Sequence, residues 1–353
     1  MPNSPISLPA RIGKYELQEF LGGGMSHVYR AEDTVLRRAV ALKILTPESS
    51  ANPDAKARFL REARLASNIM HDHIIRVYDF GEENERPYMV MEFLQGQDLR
   101  HAINGNALGD MVSKLRIAID IAGALDHIHT QKIVHRDVKP DNIHMDTTGK
   151  IRLMDFGIAK TAEYSLTRPG FTLGTPFYMA PEQVMGKQVT ESVDLYAFGI
   201  MLYEILTGSK PFQAETVPEI FTKVLKDPVD LAPLEQIGAP RRVIELIHSL
   251  TQKDPAGRVG DFLTVMGELN AGLSELLPST GQTGTHRSMG STTTGSRTAM
   301  PPKPSFPNTR PAAGKTQPQT ADWASVLKGP WLIAAVVLAV ILIYLIVDLI
   351  VRG

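Results

Sequence analysis

The sequence predicts an α+β fold in two lobes, a small β-rich one followed by a larger one, then a polar linker and a single apolar helix. Three observations carry this. Apolar and polar residues alternate from Tyr15 to Leu45, the period of strands with one buried face. From Pro278 to Lys328 the chain is dominated by Ser, Thr, Gly, Pro and Gln, too poor in large apolar residues to offset its ordering entropy. Trp331 to Val347 then contains no charged residue. With 353 residues, 43% of them apolar, the chain can bury a two-lobed core and still have sequence to spare.

Within the first lobe, Leu21-Gly22-Gly23-Gly24-Met25-Ser26-His27-Val28-Tyr29 reads as the tip of a hairpin, and Val40-Ala41-Leu42-Lys43 as a further strand. Glycines at such a tip let backbone amides approach a phosphate chain, and Val28 is placed to pack on a flat ring. Lys43 in a buried strand demands an acidic partner. Glu62, in Phe59-Leu60-Arg61-Glu62-Ala63 on a predicted helix, is the choice for it.

The most informative run is His135-Arg136-Asp137-Val138-Lys139-Pro140-Asp141-Asn142, with Asp155-Phe156-Gly157 beginning thirteen residues after Asn142. Phosphoryl transfer from a metal-bound nucleotide needs oxygens for the metal, a cation beside the moving phosphoryl group and a carboxylate for the acceptor's proton. Asp137, Lys139, Asn142 and Asp155 can supply all of these.

Together these motifs resemble the protein kinase family over residues 15 to 270 or so. The resemblance implies a catalytic domain over 13–275, with a β-rich N-lobe at 13–92 and a mostly helical C-lobe at 96–275. It implies Asp137 as the base and Lys139 beside the phosphoryl group, with Asn142 and Asp155 ligating Mg²⁺, or Mn²⁺ in its place. For ATP it implies Leu21, Gly22, Gly23, Gly24, Val28 and Ala41 around the base and phosphates, Lys43 on the α and β phosphates and Glu62 on Lys43. Tyr88 to Leu94 resembles the hinge, with Met91 as gatekeeper, the backbone of Glu92 and Leu94 against adenine, and Asp98 at the ribose.

Gly174 to Glu182 resembles the end of an activation segment and Asp194 to Gly199 the helix that supports the catalytic loop. Arg258 is expected to pair with Glu182 in a buried ion pair. The chain departs from the family in one place: counted back from Val28, the glycine loop is one residue short of GxGxxGxV, and Ser26 stands where the last glycine usually falls. Altered ATP affinity is the expected consequence. Lys139 and Gly174-Thr175 resemble Ser/Thr kinases, and the Gly-Gly-Met-Ser and Ala-Pro-Glu-Gln runs resemble the bacterial ones. Between Asp155 and Glu182, Thr167 and Thr172 are the favoured autophosphorylation sites, with Arg136 as the phosphate's partner and Thr175 kept for the acceptor pocket.

Other function classes fit less well. Lys plus Arg number 37 against 38 Asp plus Glu, so no charge excess points to nucleic acid. The absence of cysteine removes disulfides and thiolate chemistry. His71-Asp72-His73 and His127-Ile128-His129 offer no third ligand for a metal at such spacing. A catalytically dead scaffold should lack one of Lys43, Glu62, Asp137, Asn142 or Asp155, and all are present; a small-molecule kinase of similar fold does not suit the Ala180-Pro181-Glu182 segment.

No secretory signal is visible at the N-terminus. The linker, placed at 276–329, is expected to be a disordered tether whose charges are mostly basic: Arg287, Arg297, Lys303, Arg310, Lys315 and Lys328 against Asp322. The segment 330–351 is expected to span a membrane, since 21 residues from Trp331 to Val351 make about 32 Å of helix against a hydrocarbon core of about 30 Å. Fifteen Leu, Ile or Val residues outweigh the one acid, Asp348, near the end. Basic charge on the linker side favours a cytoplasmic domain, and anchoring in two dimensions favours a transient homodimer and autophosphorylation in trans. The expected partners are ATP, protein substrates with Ser or Thr acceptors, and the membrane.

Overall fold

The structure, a computed structural model, describes residues 5–155 and 175–277. It opens with an antiparallel sheet of β1 (Ala10–Ile12), β2 (Tyr15–Gly23), β3 (Ser26–Asp33), β4 (Arg38–Leu45), β5 (Val77–Glu83) and β6 (Arg86–Glu92), in the order β1-β2-β3-β4-β6-β5. The alternation seen in the sequence is realised most clearly in β3, where His27, Tyr29, Ala31 and Asp33 are buried and the residues between them are not. Tyr15, Leu17, Tyr29, Ala31, Val40, Leu42, Ile44 and Val90 form the core on that face. The sheet starts at Ala10, ahead of the expected boundary at 13, because Ala10–Ile12 pairs along β2 and Ile6 donates its N–H to the Tyr29 hydroxyl.

After the short helix α1 (Pro47–Ala51), α2 (Pro53–Ala66) begins where the Asn52 side chain accepts from the amides of Asp54 and Ala55, with Pro53 at its first position. Its buried face, Phe59, Ala63 and Ala66, lies against β5 and β6, and Phe59 and Ala63 cluster with Leu45 and Met89. That packing turns Glu62 toward β4.

The second lobe is built on α3 (Leu99–Asn104), α4 (Met111–Thr130), α5 (Pro181–Val184), α6 (Ser192–Thr207), α7 (Val217–Lys226), α8 (Ala232–Gln236), α9 (Arg241–Leu250) and α10 (Phe262–Leu276). A small sheet of β7 (Gly96–Asp98), β8 (Ile143–Asp146) and β9 (Ile151–Leu153) lies beside them. Helix α6 is buried from Val193 through Leu206, so it is the central post around which α4, α8 and α9 pack. Gly199 is required there, since a Cβ would stand 2.7 Å from the Leu250 Cβ. Two crossings tie the lobes together: Leu153 N–H donates to the His73 carbonyl at 2.8 Å and Ile75 N–H to the Leu153 carbonyl at 3.0 Å.

Among the described residues no helix is long and apolar enough to cross a membrane. The segment 330–351, nearly all of the expected linker, and the candidate sites Thr167 and Thr172 lie outside the described residues.

Candidate active site

The cleft is made where β2, β3, β4 and β6 face β9 and the loop before β8. Strand pairing sets Val28 opposite Lys43 and Ala41 opposite Met91, so these side chains share one face of the sheet. Ala41, Ile75 and Met91 form an apolar cluster against which Val28, Phe93, Leu94 and Met154 pack. An apolar slot bounded above by Val28 and Ala41 and at its end by Met91 is a fit for a flat heterocycle.

At the inner end of this slot Lys43 is shared by two acids. Its Nζ lies 2.6 Å from Asp155 Oδ1 and 3.3 Å from Glu62 Oε1. Burial works against the ammonium, but the carboxylates of Asp155 and Glu62 outweigh it and hold the Lys43 pKa above its usual range. Asp155 is held below the usual carboxylate range, chiefly by the charge of Lys43. Glu62 moves the other way: burial raises it, and Lys43 offsets that only in part. Lys43 is committed first to Asp155.

The loop before β8 supplies the second group. Asn142 Nδ2 donates to the Asp137 carbonyl at 2.8 Å and to its Oδ2 at 3.0 Å, and Lys139 Nζ stands 3.2 Å from the same Oδ2. The Asp137 carboxylate is thereby fixed in rotation, and the Asn142 amide oxygen is turned away from it. Asn142 and Asp155 are coupled through the backbone, since Met154 N–H donates to the Asn142 carbonyl at 2.8 Å. Two hard oxygen donors, one amide and one carboxylate, fit Mg²⁺ or Mn²⁺ better than a softer metal. Among the described residues no three His, Asp or Glu side chains gather as a metal cage, so a cation here would complete its shell with phosphate oxygens and water.

The loop is suspended from α6. Asp194, fully buried, accepts from the amides of His135 and Arg136 at 2.7 Å each and lies 2.8 Å from His129 Nε2. His135 is a second strut: Asp137 N–H donates to its Nδ1 at 3.3 Å and its Nε2 faces the Met154 carbonyl at 3.2 Å. This bonding needs the neutral ring, and burial lowers its pKa accordingly. Arg136 and Asp155 both have left-handed backbone, φ 65° and 47°, next to the reacting groups. Arg258 closes its fork on Glu182 at 2.6 and 2.9 Å, the buried pair expected from the sequence, and anchors the segment entering α5.

The shortened glycine loop has a structural solution. Gly22 lies opposite Val28 and Gly23 opposite His27, so the hairpin closes over the three residues Gly24, Met25 and Ser26. Gly24 N–H donates to the Ser26 carbonyl at 3.0 Å, and the Met25 carbonyl accepts from Thr46 N–H at 3.1 Å, tying the tip to the end of β4. Gly22 and Gly23 have φ of 136° and 148°, and a Cβ on Gly23 would meet the Ser26 carbonyl oxygen at 2.1 Å. Leu21 is exposed at 46% on the strand leading into this tip.

Other expected residues have roles that the sequence reading did not anticipate. Asp98 caps α3, accepting from His101 N–H at 2.8 Å. Glu92 is drawn to the C-lobe by Arg152, whose Nε lies 3.1 Å from its Oε1, while Glu92 N–H donates to the Arg76 carbonyl at 2.9 Å. Arg30 stands 5.1 Å from the Phe93 ring at the mouth of the slot.

Residues 15–268 match the family model for the protein kinase domain. The chain belongs to the protein kinase family. Serine/threonine-protein kinase PrkC of Bacillus subtilis is 39% identical over 248 residues, covering 70% of this chain and 38% of PrkC. Serine/threonine-protein kinase PknD of Mycobacterium tuberculosis is 36% identical over 273 residues, 76% of this chain and 40% of PknD. The chain thus spans about two fifths of the length of these relatives. Among solved structures, Rad53 1–466 in complex with AMP-PNP superposes with a TM-score of 0.61 at 28% identity, over 72% of this chain and 64% of that one. The kinase domain of Mycobacterium tuberculosis PknI gives 0.61 at 25%, over 76% and 100%. The kinase fold, with its β-rich first lobe and helical second lobe, is shared with both.

Proposed function

We propose that this kinase transfers the γ-phosphoryl group of ATP to Ser or Thr hydroxyls of proteins. The observation that carries the reading is the convergence on one cleft of Lys43, shared by Glu62 and Asp155, with Asp137, itself held by Asn142 and Lys139. Adenine would lie in the slot between Val28, Ala41, Met91 and Leu94, against the backbone of Glu92 and Leu94, with Asp98 near the ribose. Leu21 and the glycines from 22 to 24 would cover the phosphates, and Lys43 would neutralise the first two. Asp137 would orient the acceptor hydroxyl and take its proton, while Lys139 balances charge on the moving phosphoryl group. Asn142 and Asp155 would hold Mg²⁺, which supplies charge neutralisation at the phosphate oxygens. The Ser/Thr specificity printed in the names of PrkC and PknD supports the choice of acceptor.

The same reading includes a membrane anchor at 330–351 with the kinase domain on the cytoplasmic side. What supports it is the uncharged run from Trp331 to Val347 behind a basic linker. It also includes autophosphorylation at Thr167 or Thr172 by a transient second copy, with Arg136 receiving the phosphate.

The test is transfer of label from ATP with Mg²⁺ to the chain itself and to a generic Ser/Thr protein, using the full chain in liposomes beside Asp137→Asn. Transfer that vanishes in the variant supports the reading. If wild type clustered on liposomes transfers nothing, the reading falls and a nucleotide-binding scaffold replaces it. Flotation with liposomes that is unaffected by truncation after Lys328 would remove the anchor, and mass spectrometry of active protein with both threonines bare would remove the autophosphorylation sites.

A further inference from the structure

Beside the cleft lies a buried carboxylate that the mechanism does not use. Glu204, near the end of α6, is 2% exposed. Its Oε1 lies 2.5 Å from Arg100 Nη1, and its Oε2 accepts from the Tyr178 hydroxyl. That hydroxyl in turn accepts from Arg100 Nη2, which also reaches Asp141 Oδ2 at 3.5 Å. Burial, with the charge of Glu204, pushes the Tyr178 hydroxyl well above its ordinary range, so it stays a donor. Lys210 is the other nearby cation, 3.7 Å from Glu204 Oε1 and 5.0 Å from the Phe177 ring, beyond hydrogen-bond reach.

The position of this network gives it meaning. Asp141 follows Asp137 by four residues in the same loop, and Tyr178 lies three residues before Pro181, in the turn Thr175–Tyr178 that leads into α5. Arg100 comes from α3 and is wedged between the two. From bottom to rim the side chains become steadily more exposed: Glu204 at 3%, Arg100 at 16%, Asp141 at 45%. The walls form a pocket for one planar guanidinium, with a carboxylate at the base, a hydroxyl at the side and a second carboxylate at the lip. On the kinase reading, residues flanking an acceptor hydroxyl held at Asp137 would run past this lip.

We propose that Arg100 is the chain's own occupant of a guanidinium socket beside the acceptor path, and that it thereby removes any demand for a basic side chain next to the phosphorylated Ser or Thr. The inference rests on the kinase reading above. A socket already filled by an arginine that spends Nη1 on Glu204 and Nη2 on Tyr178 and Asp141 offers an incoming arginine no free carboxylate. Lacking that side chain, the same socket presents two acids and a hydroxyl, and an acceptor arginine becomes their natural partner.

The experiment uses the full chain in liposomes and Ser peptides that differ only in carrying Ala, Lys or Arg at each position flanking the acceptor. Wild type is expected to treat the set alike, with kcat/KM varying by less than about threefold, well under the effect of one charge-assisted contact. Arg100→Ala is expected to favour Arg over Ala at one position by about tenfold, with Lys favoured less, and Arg100→Ala combined with Glu204→Gln to lose the gain. Guanidinium chloride at low millimolar concentration should raise the melting temperature of Arg100→Ala relative to NaCl and leave wild type unmoved. If Arg100→Ala does not fold, Arg100→Gln, which keeps a donor for Tyr178 without the charge, takes its place. A wild type that already prefers Arg and loses that preference with Glu204→Gln overturns the proposal, as does a folded Arg100 variant with a flat profile. No transfer from wild type to any peptide would sink the kinase reading instead, leaving the guanidinium-dependent melting shift to decide the socket.

Discussion

Lys43 is held more closely by Asp155 than by Glu62, at 2.6 Å against 3.3 Å. The two acids are therefore not equivalent. Asp155, more than half exposed along its side chain, faces the cleft, whereas the Glu62 side chain is 12% exposed and backs Lys43 from α2. Lys43→Met and Asp155→Asn are each expected to cut label transfer by more than about a hundredfold, since each removes charge aimed at the reacting phosphates. Glu62→Gln leaves both in place and should cost nearer tenfold, by loosening the position of Lys43. Single-turnover assays on the three variants test the order; an Asp155→Asn enzyme more active than Glu62→Gln would reverse it.

The glycine loop offers a finer contrast. Gly23→Ala would push a Cβ into the Ser26 carbonyl at a backbone φ of 148°, whereas Gly24 has nothing within 4 Å of its missing Cβ. Strain of about 1–3 kcal/mol at Gly23 should weaken ATP binding by about tenfold or more. Gly24→Ala should stay within about twofold, as a substitution into open space strains nothing. Nucleotide titration by fluorescence reads both.

Arg258 and Glu182 are a stability device. Both are buried, and Arg258 also donates to the carbonyls of Gln252, Ser192 and Lys253. Glu182→Gln or Arg258→Ala leaves a buried charge without its partner, at a cost of about 3–5 kcal/mol. For a domain of this size that lowers the melting temperature by roughly 6–20 °C. Calorimetry showing a drop under about 2 °C would mean the pair is better solvated than its burial implies.

Acid should destabilise the fold from about pH 6.5 downward. His27, His71 and His135 all have pKa values lowered by burial in the first place. A histidine lowered in the folded state takes up its proton first in the unfolded chain, whose value is about 6.5. Stability is thus full above that pH and is lost as pH falls below it, at up to about 1.4 kcal/mol per pH unit for a fully buried ring such as His135. His135→Gln, if folded, should flatten the slope of melting temperature against pH between about 6.5 and 5.

The strand alternation over Tyr15–Leu45 and the helix bearing Glu62 were legible from spacing, because burial on one face of a strand or helix imposes a local period; the acids of the catalytic loop were legible from the motifs that contain Asp137, Asn142 and Asp155. The Lys43–Glu62 contact could be named in advance because a buried charge must have a partner, and the Arg258–Glu182 fork because the resemblance to the protein kinase family implies it. Other contacts had no local signal. Asp98 as a helix cap and the Met25–Thr46 tie that closes a shortened loop depend on which groups happen to face one another.

By itself, then, the sequence determined which residue types were available for phosphoryl transfer and which faces would be buried, since periodicity and charge are written along the chain. Tertiary structure decided how those charges were apportioned. Lys43 inclines to Asp155 because the fold brings Asp155, just past β9, within 2.6 Å of its Nζ, and Arg100 fills the Glu204 pocket because the fold sets Arg100 of α3 2.5 Å from Glu204 of α6. Both are long-range contacts whose energy falls steeply with separation, so only the packing of whole elements could set them.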